Sequence, residues 1–422
     1  MIRGRKRILG VAAAGATALL VAAAGCGGSS GSDGGGGGGN ASAPAGKKTI
    51  TVGILTDVTG AAASGNKTSV DGVKAGVVYA ARNGYNIKYV VGDTQTTPDG
   101  ALSAAQKMVT QDHVLVVIAH SALAFTAANY LTAHKVPVVG MAEDGPEWIT
   151  AKNMFSVVGA LQQTKVATTI GKFFKQQSVT NVASIGYSVS PLSSESALAS
   201  GESAKAAGLQ VGYLNAKFPF GSTDVGPTVL AMKKAGIDGF TASVDPNTSF
   251  ALITGLRQQG VALKVALLPT GYGGDLEQAG PGALNAAQNV YFQLGYEPIE
   301  LQTAATKQFQ SDLKDAKVTT VPTYAMYNGY AAVGLLVRGL KGAGANPTQA
   351  SLITSLSGIH DWDAMGLFGG RKLDINDREN IVGGAGNCTW VTKLEGDKFT
   401  PVKGADPICG DVIPGVTVAP QS

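Results

Sequence analysis

Histidine and cysteine are scarce: the 422 residues hold four histidines and three cysteines. No histidine stands at ligand spacing from another histidine or from a cysteine, so zinc and other His/Cys metal centres are not expected. No cofactor motif is found either. An excess of charge is also lacking. The formal charge of the whole chain is +4, but Arg3, Arg5, Lys6 and Arg7 all sit at the extreme N-terminus with no acidic residue nearby. Taking those four from the 33 basic residues leaves 29, against 29 acidic ones. A basic face for nucleic acid is therefore not expected.

What the N-terminus does have is a leader. The four basic residues precede an apolar, small-residue run at 8–24, closed by Ala23-Ala24-Gly25-Cys26. This order is that of a secretory signal. The run is near the lower length limit for a membrane span and is rich in glycine and alanine, which favours cleavage over a retained helix. Small residues before a cysteine followed by glycines and serines resemble a bacterial lipoprotein signal, although Ala23 stands where such sites prefer leucine. That resemblance implies a signal peptide over 1–25 and a lipid on Cys26. The protein would then be held at the outer face of the cell membrane. Residues 26–46 are a Gly/Ser-rich stretch with a glycine run at 34–39. It cannot bury a core and is expected to act as a tether with a mean reach of roughly 25 Å. Cys388 and Cys409 remain. In an exported, oxidising setting they are expected to pair, rather than to stay as two free thiols.

Two catalytic or nucleotide readings fail on spacing. In "TGAAASGNKTS" (59–69), Gly60 and Gly65 have the separation of a phosphate-binding loop. Asn66 then intrudes before Lys67 and Thr68, turning the lysine by about 100° at a helix start. "GYSVS" (186–190) lacks the last glycine of a nucleophile elbow, and no histidine lies in an obvious partner motif. The protein is expected not to be an enzyme.

The body alternates two patterns. Apolar, β-branched runs at 49–55, 86–92, 114–119 and 136–140 are separated by helical patterns at 69–82, 99–111 and 122–134. The alternation resumes with a helix expected over 162–177, then strands at 181–187, 209–214, 237–243 and 264–269. The intervening helices are expected at 195–207, 225–235 and 248–259. A strand at 289–296 and helices at 301–315 and 324–341 complete the reading. Strands this apolar with helical crossovers indicate parallel α/β sheets, here two in succession. Two such sheets facing each other by the carboxyl ends of their strands make an interdomain cleft for a small molecule.

The order of "ITVGILTDVTGAAASGNKTSVDGVKAGVVYA", "VGDTQTTPDGALSAAQKMV", "VLVVIAHSALAFTAANYLTAHKVPVVG" and "FPFGSTDVGPTVLAMKKAGIDGF" resembles the periplasmic Leu/Ile/Val-binding proteins, the type I solute receptors of ABC importers. The likeness runs from about residue 49 to 402. It implies a monomer of two lobes joined by three crossings, near 158, 294 and 383. The N-terminal lobe would be 47–158 with 295–383, and the C-terminal lobe 159–294 with 384–422. It implies a small-molecule ligand and ABC permease subunits as partners. A sensor subunit on the same fold is the alternative.

The same resemblance assigns a pocket. Ser64 or Gly65 stands where the family usually places an aromatic residue over the ligand. Ser121, just before the helix expected from Ala122, matches a serine that holds the ligand carboxylate; its other reading is a plain N-cap. Glu143 and Asp144 replace a segment that serves the α-amino acid. They suit a cation or a hydroxyl-rich ligand, or else are solvated loop residues. Leu192 occupies a position where the family often has tyrosine. Asn247 stands at the position of an acidic partner for the ligand ammonium, and cannot supply its charge. The expected ligand is a small polar molecule, an amino acid, amide or related compound, and not a simple branched-chain amino acid.

Overall fold

The computed structural model describes residues 49–420 apart from positions 223 and 281. The signal segment, Cys26 and the tether lie outside the described residues. β1 (Thr49–Thr56) buries Ile50, Val52, Ile54 and Leu55. After it come α1 (Ala63–Asn66), α2 (Ser69–Arg82), β2 (Asn86–Asp93), α3 (Pro98–Thr110), β3 (Val116–His120), α4 (Phe125–Ala133), β4 (Val138–Gly140), α5 (Glu147–Thr150) and β5 (Met154–Ser156). These strands pair in parallel in the order β2-β1-β3-β4-β5. β3 is buried along its whole length. That is why its sequence is a continuous apolar run rather than an alternation.

The chain continues through β6 (Lys165–Ala167), α6 (Thr169–Gln176), β7 (Asn181–Tyr187), α7 (Pro191–Ala206), β8 (Gln210–Phe218), α8 (Gly226–Lys234), β9 (Gly239–Ser243), α9 (Pro246–Gln258), β10 (Val265–Leu268), α10 (Asp275–Gln278), α11 (Ala283–Ala286) and β11 (Tyr291–Leu294). It then builds α12 (Ala304–Asp315), α13 (Tyr324–Ala343) and α14 (Gln349–Ser357) before β12 (Cys388–Glu395), β13 (Lys398–Pro401), β14 (Ile408–Cys409) and β15 (Val412–Thr417). The second sheet runs β13-β12-β11-β10-β9-β7-β8. Its members β7 to β11 are parallel, whereas β12 and β13 are antiparallel additions at one edge. The expectation of a wholly parallel second sheet is corrected to that extent.

One helix and two side chains tie the segment after β11 back to the first sheet. α13 buries most of its length and packs against α2 through glycines on both helices. A Cβ on Gly72 would stand 2.1 Å from the Met326 carbonyl oxygen, and one on Gly329 would stand 2.2 Å from that of Ser69. Small residues let the two backbones touch. Beyond α14, the Trp362 indole N–H donates to the Val157 carbonyl at 3.0 Å. The Arg378 guanidinium donates to the carbonyls of Trp148, Ala151 and Met154 at 2.6, 2.8 and 3.0 Å.

The helix expected over 162–177 is shorter at its start. Leu161 has a φ of 50°, and residues 165–167 form β6, antiparallel to β15. The partner is more than 240 positions away in sequence, so local pattern did not reveal it. A disulfide joins Cys388 and Cys409 where β12 pairs with β14, as expected. Among the described residues no helix is long and apolar enough to cross a membrane.

Candidate functional site

Loops at the carboxyl ends of strands from both sheets converge on one cavity of ≈ 290 Å³. From the first sheet come Gly65 and Asn66 after β1, His120 at the end of β3 with Ala122 after it, and Glu143 and Asp144 after β4. From the second come Tyr187 at the end of β7 with Leu192 after it, Asp245 and Pro246 after β9, and Thr270 and Asp275 after β10. The two sets touch. The Leu192 N–H donates to the Asp144 carbonyl at 3.0 Å, and the Ser190 hydroxyl donates to the same oxygen at 3.3 Å. The two walls are therefore bonded to each other beside the cavity.

Asp57, fully buried at the end of β1, organises the first-sheet wall. Its Oδ1 accepts from the Ser121 hydroxyl at 2.7 Å and from the Thr94 hydroxyl. Its Oδ2 accepts from the Ala122 N–H at 2.8 Å and the Asn66 amide at 2.7 Å. A buried carboxylate is tolerated only with such a donor set. Because Asn66 gives its NH₂ to Asp57, its Oδ1 must accept, and His120 Nε2–H donates to it at 3.1 Å. This assigns the tautomer from the network. His120 Nδ1 is left as a buried acceptor without a partner. Burial pushes the His120 pKa down to about 4, so the ring is neutral.

The acids nearby are pushed the other way. Burial, reinforced by Asp144 and Asp57, raises Glu143 well above the usual carboxyl range. Burial lifts Asp144 to about 8 and Glu147 to about 7. Glu143 Oε2 has no hydrogen-bond partner. Across the cavity, Asp245 caps α9. It accepts from the Thr248 N–H at 3.0 Å and the Thr248 hydroxyl at 2.7 Å, and also from the Tyr187 hydroxyl. Phe220 meets the Tyr187 ring edge-on at 4.8 Å. Asp275, 1% exposed, accepts from the Gly271 N–H at 3.2 Å through Oδ2, while Oδ1 has no partner. Burial raises its pKa strongly. Among the described residues that line the cavity there is no lysine or arginine.

The sequence-based candidates divide accordingly. Gly65, Ala122, Glu143, Asp144 and Leu192 line the cavity. Glu143 and Asp144 are thus wall residues, not solvated loop residues. Ser64 is buried beside Gly65 with an unpartnered hydroxyl but stands off the wall. Ser121 also lies behind the wall. It is neither free for a ligand nor a simple cap, because its hydroxyl is held by Asp57. Asn247 is exposed on the first turn of α9, and the carboxylate on that wall belongs to Asp245, two positions earlier. The expectation that this loop offers only a dipole is corrected. Tyr187, likewise, supplies an aromatic hydroxyl that the reading of Leu192 had left missing.

Asp57, His120, Tyr187, Asp245 and Asp275 escaped sequence reasoning. Asp245 had a readable signal: Asp-Pro before a helical run is an N-cap followed by proline at the first helical position. Asp57 and His120 close apolar strands, and a polar residue at the carboxyl end of such a strand is a site signal.

Comparisons with known proteins agree with the fold. The model of a family described as periplasmic binding protein matches residues 49–398. A search of curated proteins returned no match. Among solved structures, a leucine-binding protein from Thermotoga maritima is 18% identical with a TM-score of 0.69, covering 86% of this chain and 98% of its own. A branched-chain amino acid transporter substrate-binding protein from Streptococcus pneumoniae, in complex with isoleucine, is 17% identical with a TM-score of 0.69, covering 87% and 99%. An ABC transporter solute-binding protein from R. palustris, in complex with 4-hydroxybenzoate, is 17% identical with a TM-score of 0.68, covering 86% and 98%.

Proposed function

Because this chain belongs to the periplasmic binding protein family, we propose that it captures one small polar molecule in the cavity between the two sheets and delivers it to the permease of an ABC importer. The observation that carries this reading is the cavity itself, walled by loops from both sheets that the Leu192–Asp144 bond joins. Such a site separates a ligand from water only if the sheets can part to admit it. We assign residues 47–158 with 295–383 to one lobe and 159–294 with 384–422 to the other. The chain would hinge near 158, 294 and 383. The solved structures of this fold are described with leucine, isoleucine and 4-hydroxybenzoate chemistry, so the fold sets a ligand size rather than a ligand identity.

The wall carries acids and hydroxyls but no arrangement of nucleophile and base, and we assign it binding rather than turnover. We further propose that Cys26 is lipidated after removal of residues 1–25, that 26–46 tether the monomer, and that it works at the outer face of the membrane. Two experiments test the reading. Purified protein is heated with amino acids, amides, amines, polyols and aromatic acids. A true ligand at 100 times its dissociation constant adds about 2.7 kcal/mol of stability; no stabilisation by any class would reject solute capture. Cells carrying Cys26→Ser are then fractionated. Loss of membrane attachment or of processing is expected, and a normally processed, membrane-bound variant would reject the lipid anchor.

A further inference from the structure

We infer that the cavity takes an organic cation without a carboxylate, an amine or amidinium, because Asp57 already fills the anion-binding donor set of the first-sheet wall. This inference rests on the solute-capture reading above and names the ligand class of the same site. Four donors converge at the end of β1 and the start of the loop before α4. They are the Ser121 and Thr94 hydroxyls, the Ala122 N–H and the Asn66 amide. A ligand carboxylate would need groups of this kind. All four are given to the side chain of Asp57, which is fully buried.

Three polar atoms at the cavity are left over. His120 Nδ1, Glu143 Oε2 and Asp275 Oδ1 are buried and have no hydrogen-bond partner. All three residues belong to the cavity wall, as do Asp144 and Asp245. The unpartnered atoms come from both sheets, and among the described residues no lysine or arginine lines the wall. An anion entering this space would face acids from both sheets and, among the described wall residues, no lysine or arginine to pair with. An ammonium or amidinium brings N–H donors and the opposite charge. The buried acids can then ionise against it, which offsets the desolvation of both partners. Tyr187 and Phe220, packed edge to face beside Asp245, add aromatic surface of the kind that cations favour.

The test uses three probes of one carbon skeleton: leucine, 3-methylbutylamine, which lacks the carboxylate, and 4-methylpentanoate, which lacks the ammonium. Agmatine and myo-inositol extend the series. Calorimetry on the full mature protein is expected to show 3-methylbutylamine or agmatine binding at least tenfold more tightly than leucine, and no binding of 4-methylpentanoate. In Asp57→Gly the four donors are released, and leucine is expected to gain at least tenfold. Leucine or 4-methylpentanoate binding the unaltered protein as tightly as the amines would overturn the inference and leave solute capture standing. So would binding of myo-inositol alone. Failure of both amines overturns it as well, and failure of every class in the wider screen overturns solute capture with it. Should Asp57→Gly not fold, the comparison on the unaltered protein still decides.

Discussion

Asp144 holds its carboxyl at about 8 against an ordinary 3.8 because burial disfavours its charge, with Asp57 and Glu147 adding repulsion. A carboxyl whose folded pKa is raised contributes stability that is fully present below the unfolded value and lost as pH rises through the folded one. For Asp144 that window runs from 3.8 to about 8. Asp144→Asn mimics the protonated acid. It is expected to stabilise the ligand-free protein at pH 7.5 by on the order of 1–3 kcal/mol, with the gain gone near pH 4. Urea denaturation of both proteins across that range checks it. An equal gain at pH 4 and 7.5 would show that charge is not the cause. His120 acts oppositely: its depressed pKa of about 4 means stability is lost as pH falls below 6.5. It does so in both proteins, so the difference between them isolates Asp144. The same two residues thus set a pH optimum for the empty site and leave it short of a positive charge.

Among the elements, the α2–α13 pair decides how the returning segment is attached to the first sheet. Their contact depends on Gly72 and Gly329, where a Cβ has no room. Gly72 sits in a helix where alanine would otherwise be the better residue by propensity. Packing and propensity therefore predict opposite signs for Gly72→Ala. With the Met326 carbonyl oxygen 2.1 Å from the added carbon, packing wins, and a loss of about 1–3 kcal/mol is expected. Chemical denaturation gives the answer. A variant as stable as the parent, or more so, would mean that the two helices separate without cost. α9 illustrates the same point for function. Its N-cap, Asp245, is at once a structural group and the carboxylate of the second-sheet wall. Helix and site are positioned by one side chain.

Across the whole molecule, the chain leaves the second sheet after β11, builds α12 to α14, and comes back at β12. The disulfide between Cys388 and Cys409, 21 residues apart, closes the last excursion. It fastens β14 to β12, next to the segment that leads into β15 and its partner β6. Constraining a loop of this length in the unfolded chain is worth about 3 kcal/mol. Reduction, or Cys388→Ser with Cys409→Ser, is expected to lower the melting temperature by that equivalent. Because Cys388 and Thr389 also border the cavity, the reduced protein is expected to bind its ligand less tightly. Calorimetry with and without reductant measures both. An unchanged melting temperature would show that strand pairing alone holds this end of the chain.

Much of this architecture was legible in the residues. Continuous apolar strands separated by helical periods specify parallel sheets, because a strand covered by helices on both faces has no polar side to show. The alternation of β1 to β4 and of β7 to β11 with their helices follows from that local rule, as does the expectation that two exported cysteines pair. The site was legible only in outline. Gly65, Ala122, Glu143, Asp144 and Leu192 lie on the wall, since they follow strand ends. Ser121 and Asn247 were misplaced because their roles depend on neighbours remote in sequence. The Ser121 hydroxyl is claimed by Asp57, 64 positions away. The charge sought at Asn247 lies two positions earlier, at the cap of α9. Sequence encodes periodicity and burial within an element. Tertiary structure alone brings the ends of several strands within hydrogen-bond distance, and so decides which polar groups satisfy one another and which are left for a ligand.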